Sequence, residues 1–185
     1  DQLLTWGEAG PVGAEETWAE YRHDSGYSRT YGWHEAPRQQ VTANVLCALL
    51  QPARWPTRVT LFYRPLSAAH AARELEGEVN AATIRAMIRA KQGRDESARD
   101  VADRERARQA AHEEAIGAGV VRTSLVVTVT VTDPGDLPQA CADIEARAQQ
   151  SKIRLRPLYG AQGAGFAATL PAGVHPAHVR ARARR

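Results

Sequence analysis

Two strand–helix–strand segments of similar design flank a long, charged, alanine-rich helical stretch, and this order constrains the chain more than any motif in it. The clearest strand runs from Val120 to Thr132, where Leu125, Val127, Val129 and Val131 alternate with Thr128 and Thr130. A period of two with one apolar face is the mark of a half-buried strand. Asp133-Pro134-Gly135 turns the chain, a helix follows from Leu137 to Gln150 with Cys141, Ile144 and Ala148 at core spacing, and Ile153 and Leu155 begin a closing strand. The upstream half has the same order. Thr17 to Arg22 and Ser28 to His34 read as strands about the turn His23-Asp24-Ser25-Gly26, carrying Trp18, Tyr21, Tyr27, Tyr31 and Trp33, the aromatics that pleated surfaces favour. Val41, Val45, Leu46, Leu49 and Leu50 recur at helical spacing until Pro52 and Pro56, and Thr57 to Arg64 then alternates with Val59, Leu61 and Tyr63 on one face.

Between the halves, Ser67 caps a helix running to about Gln92, Gly93 breaks it, and a second helix runs from about Asp95 to Ile116. The first carries Leu75, Val79, Ala82, Ala86 and Ala90 along a seam; the second offers little beyond Val101, Ala102 and Ile116 among its charges. A helix so polar is either solvated or paired with something outside the chain. Arg99, Arg104, Arg106 and Arg108 are its candidate partner-binding residues, together with Trp33 on the leading hairpin, since large aromatics dominate interface energetics. With the insert and the leading strand removed, the order is β-α-β-β-α-β. That predicts an α+β, ferredoxin-like split sheet with a leading β-hairpin strand and a long helical-hairpin insert. The expected organisation is one domain over 15–171, with the insert at 67–117 and irregular ends at 1–14 and 172–185.

Composition narrows the function classes. Of 185 residues, 43% are hydrophobic, which excludes wholesale disorder, and no apolar run approaches the length of a membrane span. The 24 basic residues are nearly all arginine and are interspersed with 21 acidic ones, so a net charge of +3 is too mild to argue for nucleic acid by itself. Cys47 and Cys141 sit apart in helical patterns and are expected as buried free thiols. The chain opens at Asp1 without a methionine and closes on Arg180, Arg182, Arg184 and Arg185, so it reads as a segment of a longer protein.

No motif carries chemistry. Gly160 to Gly165 lacks the Lys-Ser/Thr ending of a phosphate loop and is expected to be a flexible connector. His175 and His178 lack a third metal ligand. His23, Asp24, Ser25 and Ser28 make a triad only as a list, because neighbours on a hairpin are expected to alternate between faces. An enzyme would need a pocket gathering His34, Glu35 and Arg38. The expectation is therefore no enzyme, no catalytic residue, no cofactor and no metal.

Two longer stretches carry a resemblance. Asp24-Ser-Gly-Tyr-Ser-Arg-Thr-Tyr-Gly-Trp33-His-Glu-Ala-Pro37 is one; Arg156-Pro-Leu-Tyr-Gly160-Ala-Gln with Phe166-Ala-Ala-Thr-Leu170-Pro171 is the other. With the Val-Thr strand and the Asp-Pro-Gly-Asp-Leu helix start, they resemble a family of actinobacterial membrane proteins of integrative conjugative elements, similar to the EccE component of type VII secretion. The resemblance spans roughly Thr17 to Pro171. It implies a soluble part at the cytoplasmic face of the inner membrane, joined to the membrane by segments outside this chain, with protein components of a secretion or conjugation complex as partners. It supplies no catalytic residues. A more distant likeness is to the non-motor amino-terminal domain of conjugation ATPases, whose Walker motifs this chain lacks. The expected function is that of a non-catalytic assembly module, docking through the insert and open to self-association through a pairable sheet edge. A nucleic-acid-binding module of a conjugative element is the alternative and is not favoured.

Overall fold

A computed structural model describes residues 11–35, 43–91, 98–117 and 119–173. It shows a mixed α+β chain with an open antiparallel sheet of six strands: β1 (Ala14–Glu16), β2 (Tyr21–His23), β3 (Gly26–Glu35), β4 (Thr57–Pro65), β5 (Val121–Val131) and β6 (Arg154–Pro157). The helices are α1 (Cys47–Leu50), entered through a 3-10 turn at Ala43–Leu46, α2 (Ala68–Lys91), α3 (Ala98–Ala115), α4 (Leu137–Gln150) and α5 (Gln162–Ala168). By its contacts the chain divides into two compact units, residues 63–123 and the remainder.

In the first unit β3 is the central strand. One edge pairs with β5, Tyr27 opposite Val131 through Gly32 opposite Val126. The other edge is shared: β2 takes Gly26 to Ser28, and β6 takes Tyr31 to Glu35, with a register shift between Trp33 and Glu35. β5 in turn pairs with β4, so the order across the sheet is β6–β3–β5–β4, with β1 and β2 beside the first half of β3.

Period-two alternation sorts the two faces by chemistry. Tyr31, Leu125, Val127, Val129 and Val131 pack against Leu137, Ala140, Cys141, Ile144 and Ala148 of α4, with Leu49 of α1 in the same cluster. Each of the large side chains in that cluster contributes about 1.5–3 kcal/mol by leaving water. The opposite face carries Ser28, Thr30 and Thr128, all buried, and is covered by α5. α4 starts where the sequence signals it: the Asp133 carboxylate accepts from the Gly135 N–H at 2.8 Å, and Pro134 and Pro138 occupy positions that need no amide donor.

Four readings change. Thr17 to Glu20 is a turn rather than a strand, because the Thr17 hydroxyl accepts from the Glu20 N–H and the Thr17 N–H donates to the Glu20 carbonyl. An unexpected strand, β1, pairs with β2 in its place. Gly160 to Gly165 is not a connector. Gly160 turns the chain at a φ of +65°, and α5 begins two residues later. Cys47 is exposed, while Cys141 is buried as expected. α1 is a single turn whose one buried residue is Leu49, so Cys47 falls outside the core. Burial pushes the Cys141 thiol above its usual range. A thiol reagent such as DTNB is therefore expected to titrate Cys47 within seconds and Cys141 only on unfolding; equal rates would contradict this placement. The predicted helix residues 39–42 and the histidine and arginine tail lie outside the described residues.

In the second unit α2 and α3 form a helical hairpin, close to the two helices the sequence predicts. Ala71 and Leu75 are buried and Val79, Ala82 and Ala86 half-buried, along the expected seam. Among the described residues no helix is long and apolar enough to cross a membrane.

Candidate functional site

The polar face of the sheet holds two runs of side-chain hydrogen bonds, one through Ser28 and one through Thr128. His23 Nε2 lies 2.9 Å from Ser28 Oγ, and Ser28 Oγ lies 2.8 Å from Thr130 Oγ1. Thr30 and Thr128 hydroxyls are 2.8 Å apart, and Thr169 donates to Thr128 at 2.9 Å. His23 and Ser28 therefore converge, against the expectation from their spacing. The hairpin register explains it: Tyr21 pairs with Ser28 and His23 with Gly26, so all four positions share one face. Gly26 matters because a Cβ there would lie 2.6 Å from the His23 ring.

The histidine–serine contact does not extend into a triad. Asp24 turns away, its Oδ1 accepting from the N–H groups of Val12 and Gly13 at 2.9 and 3.2 Å. Ser28 is fully buried, closed to any substrate. The His23 ring lies against Phe166 at 4.4 Å and stacks with Tyr21 at 5.7 Å. Burial, with the positive charge of Arg58, lowers its pKa against the opposing pull of Asp24. Arg58 spreads over the Phe166 ring at 4.4 Å and donates from Nε to Thr169 Oγ1 at 3.3 Å, while its Nη2 is buried without a hydrogen-bond partner. Its pKa is lowered by burial. The arrangement anchors α5 and does not present a reactive group to solvent.

Gln162 is the central residue of that anchor, and sequence reasoning missed it. Between the ends of β2 and β6, the edge of β3 is open at Thr30. The Gln162 side chain fills the gap: its Oε1 accepts from the Thr30 N–H at 2.7 Å, and its Nε2 donates to the carbonyls of Thr30 and Leu158 at 3.2 and 3.0 Å. A side-chain amide thus does the work of a strand.

The predicted partner-binding residues fall in separate places. Trp33 is half-buried against the apolar core, and with Gly32, His34, Arg156, Pro157 and Tyr159 it lines a groove of about 320 Å³. Near it Trp18 stacks on Tyr159 with centroids 6.0 Å apart, and both rings are exposed. In the second unit Arg104 is half-buried and Arg108 exposed. Arg106 pairs with Asp103 and helps line a groove of about 780 Å³ between α2 and α3. Arg99 belongs to α3, and its side chain is not among those described. What the sequence reading passed over is Ile84, Met87 and Ile88, exposed at 55, 61 and 50% along one side of α2. Their i, i+3, i+4 spacing puts them on one helix face, but only the structure shows that this face is exposed.

Of the His34, Glu35 and Arg38 grouping, His34 is exposed and Arg38 lies outside the described residues. Among the described residues no group of three His, Cys, Asp or Glu side chains is placed to hold a metal ion. In comparison with known proteins, the chain matches no family model and no curated protein.

Proposed function

We propose that this chain is a non-catalytic assembly domain of a membrane-associated conjugation- or type VII-like secretion apparatus, acting at the cytoplasmic face of the inner membrane. The observation that carries the docking role is the exposed triad Ile84, Met87 and Ile88 on α2. Contiguous exposed apolar side chains on a helix are characteristic of protein contact surfaces. The secretion context rests on the sequence resemblance alone. A ferredoxin-like sheet as scaffold belongs to the same proposal. The order β6–β3–β5–β4, with α4 leading from β5 to β6, supports it, while the first crossover helix is reduced to a 3-10 turn and one turn of α1.

The test is a pull-down from the native host with the chain and an Ile84→Asp/Ile88→Asp variant as paired baits. Both substitutions are at exposed positions, so the variant is expected to fold as well as the parent. Recovery of the conjugation or secretion ATPase by the parent should fall at least tenfold with the variant. Equal recovery by both baits would refute the triad as docking site, and recovery of nucleic acid alone would refute the assembly role.

A further inference from the structure

The sheet ends on one side at β4, which has no strand beyond it among the described residues. Its backbone parity is fixed at both ends: the Thr130 N–H donates to the Pro56 carbonyl at 3.0 Å, and the Leu66 N–H donates to the Val120 carbonyl at 3.0 Å. Even-numbered positions of β4 therefore direct their backbone groups to β5. Thr57, Val59 and Leu61 direct theirs outward, along an edge that no strand among the described residues takes up.

A groove of about 480 Å³ adjoins that edge on the α1 side, lined by Leu49, Leu50, Pro52, Trp55 and Val59. Leu50 is 60% exposed there. The groove is held in shape from beneath, because Arg147, paired with Asp143 at 2.8 Å, also donates to the carbonyls of Gln51 and Pro52 at 3.0 and 3.3 Å. An open backbone edge beside an apolar groove is the arrangement by which domains take an extended peptide as an added strand: main-chain bonds hold it, and alternate side chains fill the groove.

Charge selects the occupant. Between Glu35 and Glu74 the sequence has no acidic residue, and Arg54 is the charged side chain among those lining the groove. Arg54 lies over the Trp55 ring at 4.9 Å, on the wall of the groove. A second copy of the chain would bring this same acid-free segment against itself, and like charges across strands are unfavourable. We propose that the β4 edge and the α1–β4 groove bind an extended peptide segment that alternates apolar and acidic side chains.

The test uses the whole chain and a short fluorescein-labelled peptide of alternating leucine and glutamate, read by fluorescence anisotropy. Saturable binding is expected. N-methylation of alternate peptide bonds should weaken it at least tenfold by removing the edge hydrogen bonds, and Leu50→Ser should weaken it at least fivefold. Arg54→Glu should reverse the preference, losing the leucine–glutamate peptide and gaining a leucine–lysine one. Because Leu50 and Arg54 are exposed, neither substitution burdens folding. Absence of saturable binding, or affinity indifferent to N-methylation and to both substitutions, would overturn the proposal. So would self-association of the chain that Leu50→Ser abolishes, since a second copy would then hold the edge.

Discussion

Replacing Gln162 with leucine is expected to lower the stability of the fold by about 2–3 kcal/mol, although leucine is close to glutamine in size and more apolar. The reason is the role of the amide. Gln162 is fully buried, and its Oε1 is the acceptor for the Thr30 N–H in the gap between β2 and β6. The Thr30 carbonyl retains the Leu158 N–H at 2.9 Å, and the Leu158 carbonyl retains the Ala161 N–H at 3.0 Å, so both acceptors survive the change. The Thr30 donor does not, and a buried donor without a partner costs roughly 1–3 kcal/mol beyond the bond itself. Chemical denaturation should show a lower midpoint with an unchanged slope; a loss below about 0.5 kcal/mol would mean that water reaches Thr30. Gln162→Glu adds a pH signature. One carboxylate oxygen could still accept from Thr30, but the other would face two carbonyls, so the folded state would hold this carboxyl protonated and its pKa raised. A group whose folded pKa is raised contributes its stability below the unfolded pKa and loses it as pH rises through the folded one. Gln162→Glu should therefore be nearer to wild type at pH 4 than at pH 7, whereas Gln162→Leu should show the same deficit at both.

The legible parts of this fold were those whose periodicity is local. β5 and α4 were readable to within a residue because Val127, Val129 and Val131, and then Cys141, Ile144 and Ala148, each repeat the period of their element against one apolar layer. The first insert helix was readable for the same reason, through its Leu75–Val79–Ala82–Ala86 seam. The other side of the sheet was not, because its residues give no hydropathy signal. Ser28, Thr30, Thr128, Gln162 and Thr169 are all buried, yet each looks like a surface residue when read alone. They are buried because they satisfy one another across sequence separations of 41 to 132 residues, and no window along the chain contains such pairs. Gly160 to Gly165 failed as a reading for a related reason. Glycine density suggests flexibility, but here side chains crowd the backbone: the Trp18 ring lies against Gly160, and Thr30 and Leu158 lie against Gly165. The His23–Ser28 contact was hidden by counting along the hairpin instead of across it. Of the candidate site, the insert arginines and Trp33 were named from residue type, whereas the exposed α2 triad required knowing which face the hairpin covers.

Gly165→Val is the complementary prediction, since it attacks the same joint sterically and leaves its hydrogen-bonding groups untouched. A Cβ at Gly165 would lie 2.7 Å from Thr30 Cγ2, 2.7 Å from Leu158 Cδ1 and 3.2 Å from Thr30 Cβ. Leu158 is an end-of-side-chain contact, although its other methyl lies close to Gly32. Thr30 cannot turn aside, because its hydroxyl is bonded to Thr128 and its backbone is bonded to Gln162. Relief must come from α5 moving off β3, and that movement stretches the Gln162–Thr30 contacts three residues before it. Overpacking of this kind costs roughly 1–3 kcal/mol for a methyl group, and the branched valine is expected at or above the top of that range. Gly165→Ala should fall lower in it. The two prediction sites are coupled through one movement, so their costs should not add. In a double-mutant cycle, Gln162→Leu combined with Gly165→Val should be less destabilising than the sum of the single changes by at least about 0.5 kcal/mol. Strict additivity would mean that α5 accommodates valine without leaving Thr30, and the close approach of helix to strand would then not be what requires glycine at this position.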